Sequence, residues 1–252
     1  MTLWGKAIPK SIRLFCYGRK TVSGAWQINP DRIVNRLYYI NAGTAVISYA
    51  QREYTLHSGQ IYIIPQNYDF RTVNATAFDH TYFDFCHSQI LRHDTLLAFD
   101  KAELNGFRFF EYINSLLESP PSDELLTALE HLLCGFLTIL DAKHPFPYIS
   151  NTYITTALDI IRREYTTLTT KLLASKLNLD ESYFIRLFSS VMDITPAKYI
   201  RAYRISYGRQ LLQSGMSVAE AAEQCGYRSP TAFYNAIMAE LHCSPSMLKC
   251  EK

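Results

Sequence analysis

Along the first hundred residues the apolar positions come in short runs, not in helical turns. RLYYINAGTAVISYAQREYTLHSGQIYIIPQNYDF, residues 36–70, holds clusters of Tyr, Ile and Val broken at Asn41–Gly43, Ser58–Gly59 and Pro65–Asn67. Short strands at close spacing, punctuated by Gly, Asn and Pro, predict an antiparallel sandwich or small barrel. In HTYFDF, residues 80–85, strand alternation puts His80, Tyr82 and Asp84 on one face and Thr81, Phe83 and Phe85 on the other. The polar face of so greasy a segment is expected to line a cavity. From about residue 105 the period lengthens. FRFFEYINSLLES reads as one helix and SDELLTALEHLLCGFLTILDAK as a second, with Ser122 as its N-cap. Leu125, Leu126, Leu129, Leu132, Leu133, Phe136, Leu137 and Leu140 recur there at three- and four-residue spacing. So broad a stripe either packs inside its own domain or seats a second copy of the chain. HPFPYISNT, at 144–152, then reads as a linker.

The remaining residues are helical in period throughout and contain an internal repeat. LLASKLNLDESYFIRLFSSVMDITPAKYI (172–200) matches VAEAAEQCGYRSPTAFYNAIMAELHCSPSML (218–248). Ala174 pairs with Ala222, Leu177 with Cys225 and Leu179 with Tyr227, each 48 apart. Past the turn, Phe184 pairs with Phe233 and Thr195–Pro196 with Ser244–Pro245, now 49 apart, because the second turn is one residue longer. A short helix, a turn of three or four residues and a longer helix make a helix-turn-helix. Gly226 and Asn178 stand where the turn needs a positive φ, and Ser229–Pro230 reads as N-cap and first residue of the second recognition helix. Between the copies, 197–215 is one long helix, capped by Thr195 and ended at Ser214–Gly215. Such a rod would fix the separation of two helices entering successive major grooves.

Composition changes this picture only when it is divided. The 252 residues carry a net +2, with 48% hydrophobic, 13% aromatic and 19% charged residues, which suits two ordinary folded domains and announces no nucleic-acid binder. Residues 149–252, however, hold twelve Lys/Arg against nine Asp/Glu, a net +3, and the rest of the chain a net −1. Arg186, Lys198, Arg201, Arg204 and Arg209 share their stretch with a single acid, Asp193, and are expected to meet phosphates. The first twenty residues lack the apolar core and cleavage site of a signal peptide. HLLCGFLTIL, at 131–140, is about half a membrane span, so no membrane association is expected. Six Cys without a C-x-x-C read as buried thiols in a reducing compartment, and a soluble cytoplasmic protein is expected.

The paired motifs carry a resemblance. L-A-x-x-L at 173–177, S-Y-F-x-R-L-F at 182–188, T-P-x-x-Y at 195–199, the Arg204…Leu211–Leu212 helix, A-E-A-A-E-Q-C-G-Y at 219–227 and S-P-x-x-L at 244–248 resemble the DNA-binding domain of AraC-type transcription regulators. More loosely, L-H-S-G-Q-I-Y-I-I-P at 56–65 is similar to that family's cupin-like effector and dimerisation domain. The resemblance implies an effector-binding and dimerisation domain at 1–143, built as a small antiparallel β-barrel with trailing helices. A linker at 144–152 and an all-α DNA-binding domain at 153–252 would follow, the latter with two helix-turn-helix subdomains joined by a long helix. It implies base reading by Ser182, Ile185 and Arg186 in the first copy and by Thr231, Tyr234 and Asn235 in the second, with Lys171, Arg201 and Arg204 supporting them. Arg186 suits guanine and Asn235 suits adenine, although the family more often has Arg at the latter place. The implied partners are promoter DNA, a small-molecule effector, RNA polymerase and a second copy bound through the Leu-rich helix 122–143; no cofactor is implied.

Where the chain departs from the family, it loses charge. Ser189–Ser190 replace a usual basic pair and Ile237–Met238 the usual Phe–Lys, Asp193 and His242 replace Gly, and no Lys or Arg occurs from Thr231 to His242. The first copy is therefore expected to dominate specificity, and a regulator-like protein acting through protein partners without DNA is the alternative. A cupin-type metalloenzyme would need a His-x-His pair, a Glu shortly after it and a further His. Here His57 has no His neighbour, Glu53 precedes it, His80 is isolated, and Cys86–His87 with His93 reads as a strand end and loop. No metal or catalysis is expected. Effector contacts are expected among Trp26, Arg36, Tyr38, Tyr49, His57, Tyr62, His80 and Tyr82, a set suited to a sugar or a small aromatic acid.

Overall fold

A computed structural model of the chain describes residues 12–25, 33–66, 70–87, 89–91, 96–101 and 108–249. Two compact units divide between Ser150 and Asn151. Within 144–152, the predicted linker, Phe146 is buried and Tyr148–Ile149 pairs with Ile90–Leu91.

The first unit is an antiparallel sheet in which two long strands do most of the pairing. β1 (Ile12–Val22), β2 (Asn35–Tyr49), β3 (Arg52–His57), β4 (Gln60–Ile64), β5 (Phe70–His87) and β7 (Leu97–Asp100) run in the order β1-β5-β2-β4-β7. β2 gives one edge to β4 over Arg36–Tyr39 and to β3 over Thr44–Tyr49. The change of neighbour coincides with register shifts against β5 between Ile40 and Thr44, where Gly43 has φ 74° and Ala77 has φ 44°. A Cβ added at Gly43 would lie 2.1 Å from the Ala77 carbonyl oxygen. Only glycine lets the two backbones approach so closely while turning the corner.

Burial follows from this bend. Residues 35–40 are buried on both faces, whereas 41–49 alternate in exposure. On the inner face lie Tyr38, Ile40, Ile47, Tyr49, Tyr62 and Phe78. On the outer face Leu37, Tyr39, Phe83 and Phe85 pack against α1 (Phe109–Leu116) and α2 (Asp123–Lys143). Tyr39 stacks on Phe110 at 4.3 Å and Phe109 on Phe136 at 4.5 Å.

One expectation is corrected here and two are sharpened. The predicted barrel does not close: among the described residues β1 and β7 are the sheet's two ends. β1 meets α2 instead of another strand, and at its bulge the Leu14 N–H donates to Glu130 Oε1 at 2.9 Å. Second, the leucine stripe of α2 does not face outward. Leu129, Leu133, Phe136, Leu137 and Leu140 are buried in the outer-face core, and Leu125, Leu126 and Leu132 pack on the same cluster. Each fully buried side chain of this kind contributes about 1.5–3 kcal/mol, so the buried leucines stabilise the domain. Third, α2 as a whole, at 21 residues, is long and apolar enough to cross a bilayer, although its core run is shorter. Its buried stripe and its Glu130 bond make it the core helix of this unit.

One buried ion pair crosses the inner face. Arg36 Nε donates to Asp84 Oδ1 at 2.6 Å and Arg36 Nη2 to Asp84 Oδ2 at 2.7 Å. Both residues are buried, and the guanidinium sits over the Phe70 ring at 5.4 Å. Removing one partner leaves a buried uncompensated charge, which costs about 3–5 kcal/mol. Asp84→Ala is expected to lower thermal stability by that amount, and Arg36→Met with Asp84→Leu to recover most of it; differential scanning calorimetry reads both.

Candidate nucleic-acid interface and sensor face

The second unit is assembled from locally capped helices. α3 (Thr152–Glu164) leads into α4 (Thr170–Lys176) and α5 (Glu181–Met192). α6 (Pro196–Gln213) connects these to α7 (Val218–Gln224), α8 (Pro230–Leu241) and α9 (Pro245–Lys249). Asp180, Thr195 and Ser229 each accept a backbone N–H three residues on, and Ser217 with Glu220 forms a capping box. The two copies turn alike, although the second turn is one residue longer. Asn178 and Gly226 have φ 54° and 75°, and the helices that follow end on Asp193 and His242 at φ 50° and 54°.

This geometry gives α5 and α8 equivalent outward faces. On α5, Ser182 and Arg186 are exposed and Ile185 is half-buried. On α8, Thr231, Tyr234 and Asn235 are exposed. Phe184 and Phe233, the residues paired in the repeat, are fully buried beneath them. Lys171 is exposed in the first turn of α4, and Arg201 is exposed on α6, its Nε 3.9 Å from Glu240.

Arg204 requires a correction. Its Nε donates to the Tyr165 carbonyl at 2.7 Å and its Nη2 to those of Thr166 and Leu168 at 3.0 and 3.1 Å. The side chain therefore clamps the α3–α4 loop instead of offering itself to phosphate. Arg209 is likewise buried, 8% exposed, which takes a second cation from the predicted patch. The clamped loop also receives the second turn, since a Cβ added at Gly226 would lie 2.1 Å from the Thr166 carbonyl oxygen. A Cβ at Gly208 of α6 would fall 2.5 Å from Phe233. Cys225 is buried in the same core, and burial pushes its thiol up to about 12, so it stays neutral and unreactive.

In the first unit the strand register gathers most of the predicted effector residues. Tyr62, Tyr38 and Tyr82 form one row across β4, β2 and β5, with Ile40 and His80 on one side of it and Arg36 and Asp84 on the other. His80 is buried, stacked on Phe78 at 4.4 Å and edge-on to Tyr38 at 4.8 Å. Cys16 Sγ donates to Tyr82 Oη at 3.9 Å, and the Tyr62 hydroxyl accepts from the His57 N–H at 3.1 Å. The remaining candidates do not join this group. Tyr49 is fully buried against Tyr54, the His57 side chain is exposed on β3, and Trp26 and His93 lie outside the described residues. Strand alternation alone puts Asp84 on a polar face; its pairing with Arg36 depends on β2–β5 register, which local pattern does not contain.

Comparison with known proteins agrees with this architecture. Residues 173–249 match a family described as a helix-turn-helix domain. The HTH-type transcriptional regulator CdhR of Pseudomonas aeruginosa is 35% identical over 80 residues, 31% of this chain and 24% of that protein. The chain thus spans about a quarter of the length of the first such relatives. The Msm operon regulatory protein of Streptococcus mutans is 22% identical over 255 residues, covering 93% of this chain and 91% of its own. Over residues 173–249 the chain is similar to helix-turn-helix transcriptional regulators. Over nearly the whole length its fold is similar to that of ToxT from Vibrio cholerae, with a TM-score of 0.61, 14% identity, and 95% and 98% of the two chains covered. Another ToxT structure, with an unsaturated fatty acid bound, matches at a TM-score of 0.55 and 15% identity, covering 98% of this chain and 96% of that one.

Two outcomes test the placement of these residues. Arg204→Ala removes three charge-assisted bonds and is expected to cost about 2–4 kcal/mol, and Arg204→Lys to recover only part, because an ammonium cannot fork. A solvated cation removed the same way would change stability by less than about 0.5 kcal/mol, so urea melts separate clamp from surface. The second outcome concerns His80, which burial holds neutral down to about 4. The unfolded chain takes up that proton first, so stability falls as pH drops from about 6.5 towards 4, by up to about 3 kcal/mol. His80→Phe is expected to flatten that part of the pH–stability curve.

Proposed function

We propose that the chain is a sequence-specific DNA-binding transcription regulator controlled by a small molecule held on the inner face of its sheet. The observation that carries this is the repeat itself: α5 and α8 follow similar turns and carry their predicted base-reading positions at the same places, 49 residues apart. A recognition helix meets base edges with its N-terminal residues, and those are Ser182, Ile185 and Arg186 in one copy and Thr231, Tyr234 and Asn235 in the other. Lys171, Lys198 and Arg201 remain for phosphates after Arg204 and Arg209 are withdrawn. The bound fatty acid of ToxT supports an effector on this fold. Here Arg36 is already neutralised by Asp84, and the rings around His80 favour a neutral sugar over an aromatic acid. Contact with RNA polymerase belongs to this reading through the resemblance. So does pairing of two copies, by the outward face of α2, where Ile139 is 48% exposed.

Gel shifts against promoter DNA at about 50 and about 200 mM salt test the proposal. Binding that weakens with salt is expected, with Arg186→Ala losing about 5- to 150-fold on the preferred site, the worth of one bidentate base contact. No complex at either salt would leave only a role through protein partners.

A further inference from the structure

The two outward faces, equivalent in position, differ in chemistry. Thr231, Tyr234, Asn235 and Met238 lie at i, i+3, i+4 and i+7, one face of α8, and all four are exposed, Tyr234 by 42% and Met238 by 39%. At the matching places α5 has Ser182, Ile185, Arg186 and Ser189. Where the first helix offers a guanidinium, the second offers an amide; where the first has a small hydroxyl, the second has a thioether. No Lys or Arg occurs on α8, the nearest preceding one being Arg228 ahead of the Ser229 cap. Its single acid, Glu240, is answered by Arg201.

Resting on the DNA-binding reading above, we infer that α8 reads an A·T block without using charge. The only features of the major groove that an uncharged, apolar face can distinguish well are the thymine C5-methyl and the adenine N6/N7 pair. Apolar side chains pack on the first, and an Asn amide bonds bidentately to the second. Thr231, Tyr234 and Met238 supply the packing surface around Asn235, and nothing on the face matches the two acceptors of guanine as a guanidinium does. The site is therefore asymmetric: one block holds a guanine read by Arg186, and the other is A·T and read by methyl contact and amide. Because counterion release follows neutralised phosphates and not base-edge contacts, discrimination in the second block is independent of salt.

Selection of bound duplexes from a random pool by the full chain, followed by gel shifts, tests this. A guanine-containing block and an A·T block are expected in the selected site. Replacing the second block's thymines by deoxyuridine removes only the methyls and should weaken binding about fourfold per contacted methyl, by the same factor at about 50 and about 200 mM salt. Asn235→Ala should abolish preference at one A·T pair, about 5- to 150-fold, with its melting temperature unchanged because the side chain is exposed. Guanine or cytosine selected in the second block, a single-block site, or indifference to deoxyuridine would each overturn the inference while leaving DNA binding intact. A pool that yields no bound duplex at all would sink the DNA-binding reading itself.

Discussion

Three backbone carbonyls in the loop after α3 would be costly to leave unpaired, and one guanidinium satisfies them together. The Arg204 fork joins the middle of α6 to residues 165–168, and the second turn rests on the same loop through Gly226. Each helix-turn-helix is small, with a core of a few Leu, Ala and Phe side chains, and neither has much to hold it at a set angle to the other. A planar cation bound at three points restricts rotation in a way that apolar contact does not. The close fit of Gly208 over Phe233 works in the same direction from the other side of α6. These contacts and the buried face of the connecting helix together tie the two copies to one frame.

The same residue type performs the corresponding task in the sheet. Arg36 and Asp84 bridge β2 and β5 on a face otherwise made of rings. A buried pair of this kind adds little net stability over an apolar pair of the same volume, but it tolerates only one register. Sliding β2 by one residue would bury an unpaired charge and turn Tyr38 to the wrong side. The bidentate pair therefore specifies alignment in the part of the sheet where the effector is proposed to bind.

What could be read from sequence divides by range. The C-terminal helices were legible because their starts and stops are written locally: a hydroxyl or carboxylate at the cap, Pro in the first turn, Asn178 and Gly226 at the left-handed turn positions. The stripe of α2 and the strands around Asn41–Gly43 were legible for the same reason. The tasks of Arg204 and Arg209 were not, since on a helical wheel a cation that clamps a loop looks like one that waits for phosphate. Nor was the open sheet. A Gly-turn between two apolar runs says that strands pair and is silent on whether the last strand finds the first. Side-chain periodicity showed that the leucines of α2 share a face but could not show which surface that face would meet.

A sheet that does not close keeps an edge, and an exposed strand edge is a template for the next chain. In this fold α2 covers that liability, with the Glu130 carboxylate occupying the Leu14 amide and the leucines lying across the outer face. Partial burial raises the Glu130 pKa. Damage to α2 would therefore show itself first as self-association of the sheet, before any loss of a ligand or of DNA, and solubility becomes the property most directly tied to this helix.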